Sequence, residues 1–290
     1  MRYLIVNADD FGMTSGVNRA VIESHVRGIV TSTTVMANMP VFHEAVRLAK
    51  AHPSLGVGLH FNITQGAPVA EASRVRSLLN ERGEFFGTST ALLRQMLIGK
   101  LRVLEIEIEL RAQIEKALAA GLRLTHVDSH KHSHALPPIG EVIANVIGDY
   151  DIHAVRLPRE RWRIPRQNLS VNLIAQSLVA LALAQLCRFG ETTLRRAKVN
   201  TADAFLGVSQ TGFWSKRWLL DLIANLPEGV SELMTHPGYD DAELARANTR
   251  LRESRATEFA LLTETEIFEA VREHGVQLIS YGKLEKISRR

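Results

Sequence analysis

Short apolar runs rich in β-branched residues alternate along this chain with longer segments in which apolar residues recur every three or four positions. Runs of the first kind predict buried strands, and spacing of the second kind predicts helices that bury one face. The predicted strands cover residues 3–8, 29–36, 55–63, 124–130, 154–157, 204–206, 232–235 and 277–281. Helical spacing is clearest in residues 16–27, 41–51 and 101–120.

Alternation of strands and helices is typical of a parallel sheet whose strands are joined by helical crossovers. Seven or eight such units predict an α/β barrel related to the (β/α)8 type, with a doubly wound open sheet as the alternative. The chain shows no internal repeat, low-complexity tract or clear linker, so residues 1–290 are predicted to form a single domain. Residues 68–99 interrupt the alternation and predict an insertion over one end of the barrel.

Composition narrows the class of protein without deciding its function. The 290 residues are 46% hydrophobic, which is enough for a sizeable core, and the formal charge is only +4. Aromatic residues make up 6% and no nucleic-acid-binding motif is present, so we expect no nucleic-acid partner. The single cysteine, Cys187, excludes a disulfide framework and a Cys-rich zinc site. The first apolar run is too short for a signal peptide, and a cytoplasmic protein is predicted.

Two neighbouring segments are compatible with a peripheral contact between the protein and a membrane. Five arginines cluster around the predicted strand at 154–157: Arg156, Arg159, Arg161, Arg163 and Arg166. They could bind an anionic substrate or a membrane surface, or form a solvated loop. Residues 167–187 carry no charge, but Asn168, Asn172 and Gln176 recur at helical spacing, which favours a buried or interfacial helix over a bilayer span. A homodimer is a further candidate assembly.

Residues 125–134 read Thr-His-Val-Asp-Ser-His-Lys-His-Ser-His and place His126, Asp128, His130, His132 and His134 at alternate positions. In an extended chain all five side chains would line one face. Imidazole and carboxylate groups are ligands for divalent metals and transfer protons near neutral pH. The row therefore predicts a metal or proton-transfer site rather than a His-rich surface loop, but its spacing cannot say which of the last three histidines binds.

Three other predicted strands also carry ligand-type residues. The first ends in Asp9-Asp10, which could supply a metal ligand and a general base or, alternatively, cap a helix. His60 interrupts the apolar strand at 55–63, where a lone histidine is more often a core residue. His236 stands directly before a Pro-Gly turn, which leaves its ring at the rim as a candidate proton donor. Because the reactive groups of parallel α/β folds lie where strands end, these residues are expected to meet.

These residues belong to stretches that resemble the YdjC-like carbohydrate deacetylases. The stretches run in family order from residue 3 to about 281: Ile5-Val-Asn-Ala-Asp-Asp-Phe-Gly12, Gly28-Ile-Val-Thr-Ser-Thr33, Gly58-Leu-His-Phe-Asn-Ile-Thr64, residues 125–134, Val155-Arg-Leu-Pro158, Glu232-Leu-Met-Thr-His-Pro-Gly238, and Arg255 with Glu258 ahead of Leu262-Thr263. Each stretch alone is weak evidence, but the combination is specific and covers essentially the whole chain. Residues 159–198, basic and then apolar, depart from the family pattern.

The resemblance implies a distorted (β/α) barrel akin to polysaccharide deacetylases. It also implies a divalent metal held by one Asp and two His, which in this sequence are Asp10, His60 and His130. Mg²⁺ is the expected ion, and Zn²⁺, Mn²⁺ and Co²⁺ suit the same oxygen and nitrogen donors. Asp128 is the simplest partner for the second nitrogen of a ligand histidine.

The implied reaction is hydrolysis of an N-acetyl group on an amino sugar, carried by an oligosaccharide or a glycolipid. The resemblance assigns Asp9 as the base and His236 as the acid, and we expect His132, His134 and Arg156 to contact the substrate. In this reaction the metal would activate the attacking water and polarise the amide carbonyl.

Two other functions stay open. Amidohydrolase-type barrels, which act on other amides or esters, typically carry His-x-His at the end of the first strand, where this chain has Asp9-Asp10. A non-catalytic, metal-stabilised protein that binds sugar or lipid could use the arginine cluster and the uncharged segment. Such a protein would not need a complete set of ligands, base and acid.

Overall fold

A parallel sheet forms the centre of the computed structural model, which describes residues 1–160 and 171–288. Its strands, in chain order, are β1 (Arg2–Phe11), β2 (Ser32–Val35), β3 (Gly56–Phe61), β4 (Leu124–Ser129), β5 (Ala204–Leu206), β6 (Gly229–Thr235) and β7 (Val276–Leu278). Six of them are ordered β4-β3-β2-β1-β6-β5 across the sheet, and β7 pairs with the first residues of β1. Every pairing is parallel, as the alternation of apolar patterns predicts.

Residues 154–160 join the two outer strands and close the sheet. Val155 forms an isolated parallel bridge with Val127 in β4, and Glu160 forms another with Phe205 in β5. The result is a distorted (β/α) barrel, which confirms the predicted fold class and disagrees with an open doubly wound sheet. The strand predicted at 154–157 is present only as such isolated bridges. That residues 1–290 form a single domain remains a prediction.

Helices connect the strands around the outside of the barrel. They are α1 (Ser15–Arg27), α2 (Phe42–Ala51), α3 (Ser89–Leu97), α4 (Val103–Ala119), α5 (Pro137–Val146), α6 (Val171–Arg196), α7 (Lys216–Ala224), α8 (Ala242–Arg246), α9 (Glu253–Leu262), α10 (Thr265–Glu273) and α11 (Leu284–Ser288). The hydroxyl of Thr14 accepts from the backbone N–H of Val17 and so caps α1 directly after β1. The chain therefore turns away from the sheet immediately after the Asp9-Asp10 pair.

Two segments outside the regular alternation lie at the carboxyl end of the strands. The insertion predicted over residues 68–99 consists of short 3₁₀ turns and α3, and it is tied to the rim at Gly87. The Gly87 N–H donates to the Thr64 carbonyl (2.7 Å), and the Gly87 carbonyl accepts from Lys131 Nζ (2.8 Å). Residues 171–187 of the uncharged segment form the first two thirds of α6, while residues 161–170, with three of the five clustered arginines, lie outside the described residues.

Strand β1 shows how polar residues reach the inside of the barrel. Its outward side chains pack into the main core between sheet and helices: Leu4, Val6 and Ala8. Because successive strand residues face opposite sides, Ile5, Asn7 and Asp9 face inward. Asp10 would point outward in a regular strand, but its φ of 67° and a register irregularity near the strand end break the alternation. Asp tolerates this left-handed conformation better than most residues, and both carboxylates therefore face the interior.

The histidine row is extended only in its first half. Strand β4 ends at Ser129, and residues 130–135 form a tight 3₁₀ turn. Within that turn Lys131 and His132 have φ values of 54° and 53°, in the left-handed region. The prediction that His132 and His134 continue one face of a strand is therefore wrong, because the backbone turns as soon as the sheet ends.

Candidate metal and catalytic site

The polar residues predicted at four strand ends meet at the carboxyl end of the barrel. Three ligand-type atoms form a compact triangle: Asp10 Oδ1, His60 Nε2 and His130 Nδ1. Their separations are 2.9 Å for Asp10 to His130, 3.3 Å for His60 to His130 and 3.4 Å for Asp10 to His60. With metal–ligand bonds of about 2.1 Å, neighbouring ligands in an octahedral or tetrahedral site lie about 3.0–3.4 Å apart. The triangle therefore has the size that one divalent cation requires.

In two of the three ligand residues, the second polar atom is bonded to a neighbouring side chain. These bonds direct the remaining atom, Asp10 Oδ1 or His60 Nε2, at the triangle. Arg255 Nη2 donates to Asp10 Oδ2, which leaves Oδ1 directed at the histidines. The ring Nδ1 of His60 lies 2.6 Å from Asp128 Oδ1, which leaves Nε2 free to bind. A carboxylate behind a ligand histidine is the usual way in which proteins orient such a ring. Burial lowers the pKa of His60, but the Asp128, Asp10 and Asp9 carboxylates raise it to about 10.

Burial also isolates the triangle from solvent. Asp10 is 2% exposed, His60 1% and His130 8%, and Asp10 Oδ1 has no well-aligned hydrogen-bond donor among the described residues. Although burial alone would raise it, the pKa of Asp10 lies well below its ordinary range because Arg255 and His130 stabilise the anion. An ionised carboxylate buried beside two imidazoles is a donor set suited to a divalent cation.

A second group of potential ligands overlaps the first. Asp9, His60 and Asp128 also bring one ligand atom each within 4.8 Å of the others. However, Arg156 Nη1 already lies 2.6 Å from both Asp9 Oδ2 and Asp128 Oδ2. A cation bound there would have to displace this buried guanidinium, so the triangle formed by Asp10, His60 and His130 is the better metal site.

Asp9 is held ionised beside the triangle. Arg156 donates to both of its oxygens, from Nη1 at 2.6 Å and from Nη2 at 2.7 Å, and Asn7 Nδ2 donates to Oδ1 at 2.9 Å. Burial would raise the pKa of Asp9, but the Arg156 cation holds it below its ordinary value. The carboxylate therefore carries its charge at neutral pH, as a general base must.

Arg156 is the centre of a buried ionic network. Its Nε donates to Glu232 Oε1 (2.8 Å), and Glu232 accepts from the Tyr281 hydroxyl (2.5 Å). Burial raises the pKa of Glu232 to about 7, despite the opposing effect of Arg156. With Asp9 and Asp128 on its other nitrogens, the guanidinium faces three carboxylates and is fully buried.

Replacing Arg156 by Met is expected to destabilise the fold by about 3–5 kcal/mol, because it leaves buried carboxylates without their counter-charge. Chemical denaturation measures this as a lower free energy of unfolding. Arg159→Met is the matched control, because Arg159 pairs with Glu191 at the surface and should contribute at most about 1 kcal/mol. Equal stability losses in the two variants would contradict the network.

His236 lies across from Asp9 on the same rim. Its Nε2 is 4.0 Å from Asp9 Oδ2, and its Nδ1 is 3.9 Å from Glu258 Oε2. The backbone N–H of His236 donates to the same Glu258 oxygen at 2.6 Å, so α9 fixes the position of the ring. Burial lowers the pKa of His236 to about 4 and raises that of Glu258 to about 8. At neutral pH these shifts favour a neutral His236 ring beside a protonated Glu258 carboxyl.

Glu258→Gln is expected to flatten the fall of stability with pH. The folded state keeps the Glu258 proton up to about pH 8, while the unfolded chain releases it near pH 4.5. Stability therefore decreases as pH rises between about 5 and 8, by about 1.4 kcal/mol per pH unit from this group. Denaturation midpoints of wild type and variant across this range measure the difference. A difference that stays constant with pH would contradict the raised pKa.

The structure separates the three residues expected to contact substrate. Arg156 is fully buried, and its guanidinium bonds to Asp9, Asp128 and Glu232. His134 is also buried: its Nδ1 meets Ser129 Oγ (2.5 Å), and its Nε2 meets the Arg156 carbonyl (3.1 Å). In this structure the bonds of both residues go to other groups of the protein, and their contact with substrate remains a prediction. His132 is half-buried against Phe205 and stays a candidate contact.

Four residues of the site were not assigned a role from the sequence: Asn7, Glu232, Arg255 and Glu258. The last two share one face of α9, three positions apart, and both are buried. A buried charge pair on an otherwise amphipathic helix is a signal that could have found them. Asn7 precedes Asp9 by two positions in β1, so strand alternation alone places it on the same face.

The match to known proteins covers the same stretches as the site. The profile of a family described as YdjC-like protein matches residues 3–273. The chain belongs to the YdjC-like family. A carbohydrate deacetylase of Geobacillus stearothermophilus is 37% identical over 287 residues, covering 99% of both chains. One of Brevibacillus brevis is 35% identical and covers 97% of this chain and 99% of its own length.

A solved structure extends the similarity of this YdjC-like chain to its fold. A protein from Enterococcus faecalis V583 that is named for cellobiose-phosphate cleavage superposes with a TM-score of 0.75. The two sequences are 29% identical, and the superposition covers 98% of each chain. The similarity therefore includes the barrel and all the strand ends that carry the site.

Proposed function

We propose that this YdjC-like protein is a metal-dependent hydrolase that removes the N-acetyl group of an amino sugar. The observation that carries the proposal is the triangle of Asp10, His60 and His130 beside an ionised Asp9 and a histidine, His236, on the opposite side. The relatives from Geobacillus stearothermophilus and Brevibacillus brevis are named carbohydrate deacetylases, which supports the same reaction. The arrangement would supply a ligand set, a base and an acid at one end of the barrel, as amide hydrolysis requires.

Asp9 serves as the general base. Its charge is maintained by Arg156, which also lowers its basicity, so the proton it accepts must come from a water molecule that is already acidified. A divalent cation held by Asp10, His60 and His130 would supply that acidity and would polarise the amide carbonyl. Asn7 and Arg156 together hold the Asp9 carboxylate in one orientation.

His236 serves as the general acid for the leaving amine. The lowered pKa of His236 favours a neutral ring, and the raised pKa of the neighbouring Glu258 favours a protonated carboxyl. His236 would give the proton on its Nε2 to the leaving amine and take one at Nδ1 from the Glu258 carboxyl, 3.9 Å away, while Asp9 keeps the proton taken from water. Glu258 would therefore supply the proton that His236 regains, and its bond to the His236 backbone N–H holds the ring in place.

The finer details of the proposal concern the ion, the substrate and the location. We propose Mg²⁺, since the donors are oxygen and nitrogen without thiolate, although Zn²⁺, Mn²⁺ and Co²⁺ accept the same set. The substrate is an N-acetylated amino sugar on an oligosaccharide or a glycolipid, and His132 is the proposed contact at the rim.

A cytoplasmic location and a homodimer remain parts of the prediction. Light scattering measures the oligomeric state.

Acetate release from a panel of N-acetylated sugars and glycolipids tests this function. We expect release that a chelator abolishes and that divalent metal restores, because the triangle supplies the ligands for the activating ion. Metal binding without release from any substrate in the panel would favour the non-catalytic sugar- or lipid-binding alternative. Release from esters or other amides alone would favour the amidohydrolase-type alternative.

A further inference from the structure

Exposed aliphatic side chains are concentrated in two segments of the described chain. Five lie in residues 93–104 and five in the first half of α6: Leu93, Leu97, Ile98, Val103 and Leu104, then Val171, Ile174, Leu178, Val179 and Leu181. Leu97 is 75% exposed and Val171 83%. The other large apolar side chains described as exposed are scattered singly. Such a concentration indicates a surface that is covered in the cell.

Both segments lie at the end of the barrel where the catalytic site opens. Residues 93–104 run from the second half of α3 to the first turn of α4, and α4 returns the chain from the carboxyl end of the strands to the start of β4. The first half of α6 is fixed at the same end, since Gln176 Nε2 donates to the Val208 carbonyl just beyond β5 (2.7 Å). Helix α5 packs against both α4 and α6, so the two exposed segments lie on either side of it at one end of the barrel. We call the two segments together the mouth patch.

The charges of the mouth patch have one sign. Residues 85–104 contain Arg94, Lys100 and Arg102 but no Asp or Glu. Among the described residues Arg94 and Lys100 form no ion pair, and Arg102 has only a 3.7 Å contact with Glu105. Residues 171–187 carry no charge. Cations interleaved with exposed aliphatic side chains are complementary to a surface that is anionic at the headgroups and apolar beneath them.

We propose that the mouth patch docks this protein on the surface of a membrane that contains anionic phospholipids. Helix α6 is long and apolar enough between Val171 and Arg188 to cross a bilayer. Its other face, however, is buried in the protein through Leu173, Ala180 and Cys187, so the helix lies at the interface as part of the barrel. A second copy fits less well, because a two-fold contact would bring the cations of one patch toward those of the other.

Docking in this orientation points the catalytic site at the headgroup layer. If the proposed function holds, N-acetylated sugars carried on lipids would meet the site there. The docking itself does not depend on catalysis, and vesicle binding measures it in the absence of any substrate.

Flotation of the purified full-length protein with vesicles tests the proposal. We expect binding to vesicles of phosphatidylcholine with phosphatidylglycerol, little binding to phosphatidylcholine alone, and release at high salt. Arg94→Glu combined with Lys100→Glu should reduce binding at least about tenfold, since each cation near an anionic surface contributes about fivefold. Leu97→Asn combined with Leu178→Asn should reduce it by a similar factor. All four side chains are exposed, so circular dichroism and thermal midpoints should stay unchanged.

Matched controls lie at the opposite end of the barrel. Lys50 and Arg123 are exposed cations that line a cavity of about 880 Å³ near the amino ends of β3 and β4, and Val26 is an exposed aliphatic residue near the end of α1. Lys50→Glu with Arg123→Glu, and Val26→Asn, should bind vesicles as the wild type does. The proposal is overturned if the wild type does not bind anionic vesicles, if only the Lys50 and Arg123 substitutions reduce binding, or if Leu97→Asn with Leu178→Asn dissociates a dimer and leaves vesicle binding unchanged.

Discussion

Replacing Asp9 by Asn is expected to lower turnover by about 10²–10⁴-fold while the protein still binds its metal. The Asn side chain keeps the size of Asp and can accept one bond from Arg156, but it cannot take a proton from water. General bases typically contribute rate factors of this size. Arg156 keeps Asp128 and Glu232 as counter-charges, so the variant should fold. Steady-state acetate release and metal content by elemental analysis measure the two effects.

Glu232→Gln is the matched control for this prediction. Glu232 accepts from Nε of the guanidinium whose Nη1 and Nη2 bond Asp9, and it belongs to neither group of possible metal ligands. If Asp9 acts only by balancing the charge of Arg156, both variants should lose activity equally. We expect Glu232→Gln to retain most of the turnover, and wild-type turnover in Asp9→Asn would show that the base has been assigned wrongly.

Replacing His130 by Ala is expected to remove both the metal and the activity. Two of three protein ligands would remain, and the affinity should fall by more than about 100-fold, the upper range for loss of a partner that only orients a ligand. His130 has few other bonds in the structure, so the loss should not be caused by unfolding. Titration calorimetry and elemental analysis of the purified variant measure the affinity and the stoichiometry.

His132→Ala is the control that separates the histidines of the row. His130 and His132 are only two positions apart, but His132 lies in the left-handed turn outside the triangle. We expect it to keep full metal occupancy, with any change confined to the Michaelis constant. Full occupancy in His130→Ala together with loss in His132→Ala would move the ligand to His132.

The fold was predictable because its determinants are local and repeated. The composition of each apolar run, such as residues 3–8 or 55–63, is enough to predict that the run is buried. The alternation of such runs with segments of helical spacing is typical of parallel sheets. The predicted strand at 154–157 was less accurate. Its residues form only isolated bridges because they lie between the two outer strands, where the distorted barrel closes. No local sequence pattern predicts how a barrel closes.

The place of the site was also predictable, since the carboxyl ends of parallel strands converge whatever their order. Asp9, Asp10, His60 and His236 stand at such ends, and the structure brings all four together. The histidine row misled in part, because alternate spacing implies one face only while the strand continues. After Ser129 the chain turns. The ring of His134 therefore bonds to the Ser129 hydroxyl and the Arg156 carbonyl instead of continuing the face of β4.

The sequence by itself determined the barrel, the ligand types and the end of the sheet at which they meet, because periodicity and strand ends are properties of short stretches. Tertiary structure alone decided which atoms face each other. Arg156 and Asp9 are 147 positions apart, and Arg255 and Asp10 are 245 apart. The charge state of Asp9, the free oxygen of Asp10 and the proton on Glu258 depend on these distant neighbours. Burial removes solvent screening there, so a few such contacts control the chemistry of the site.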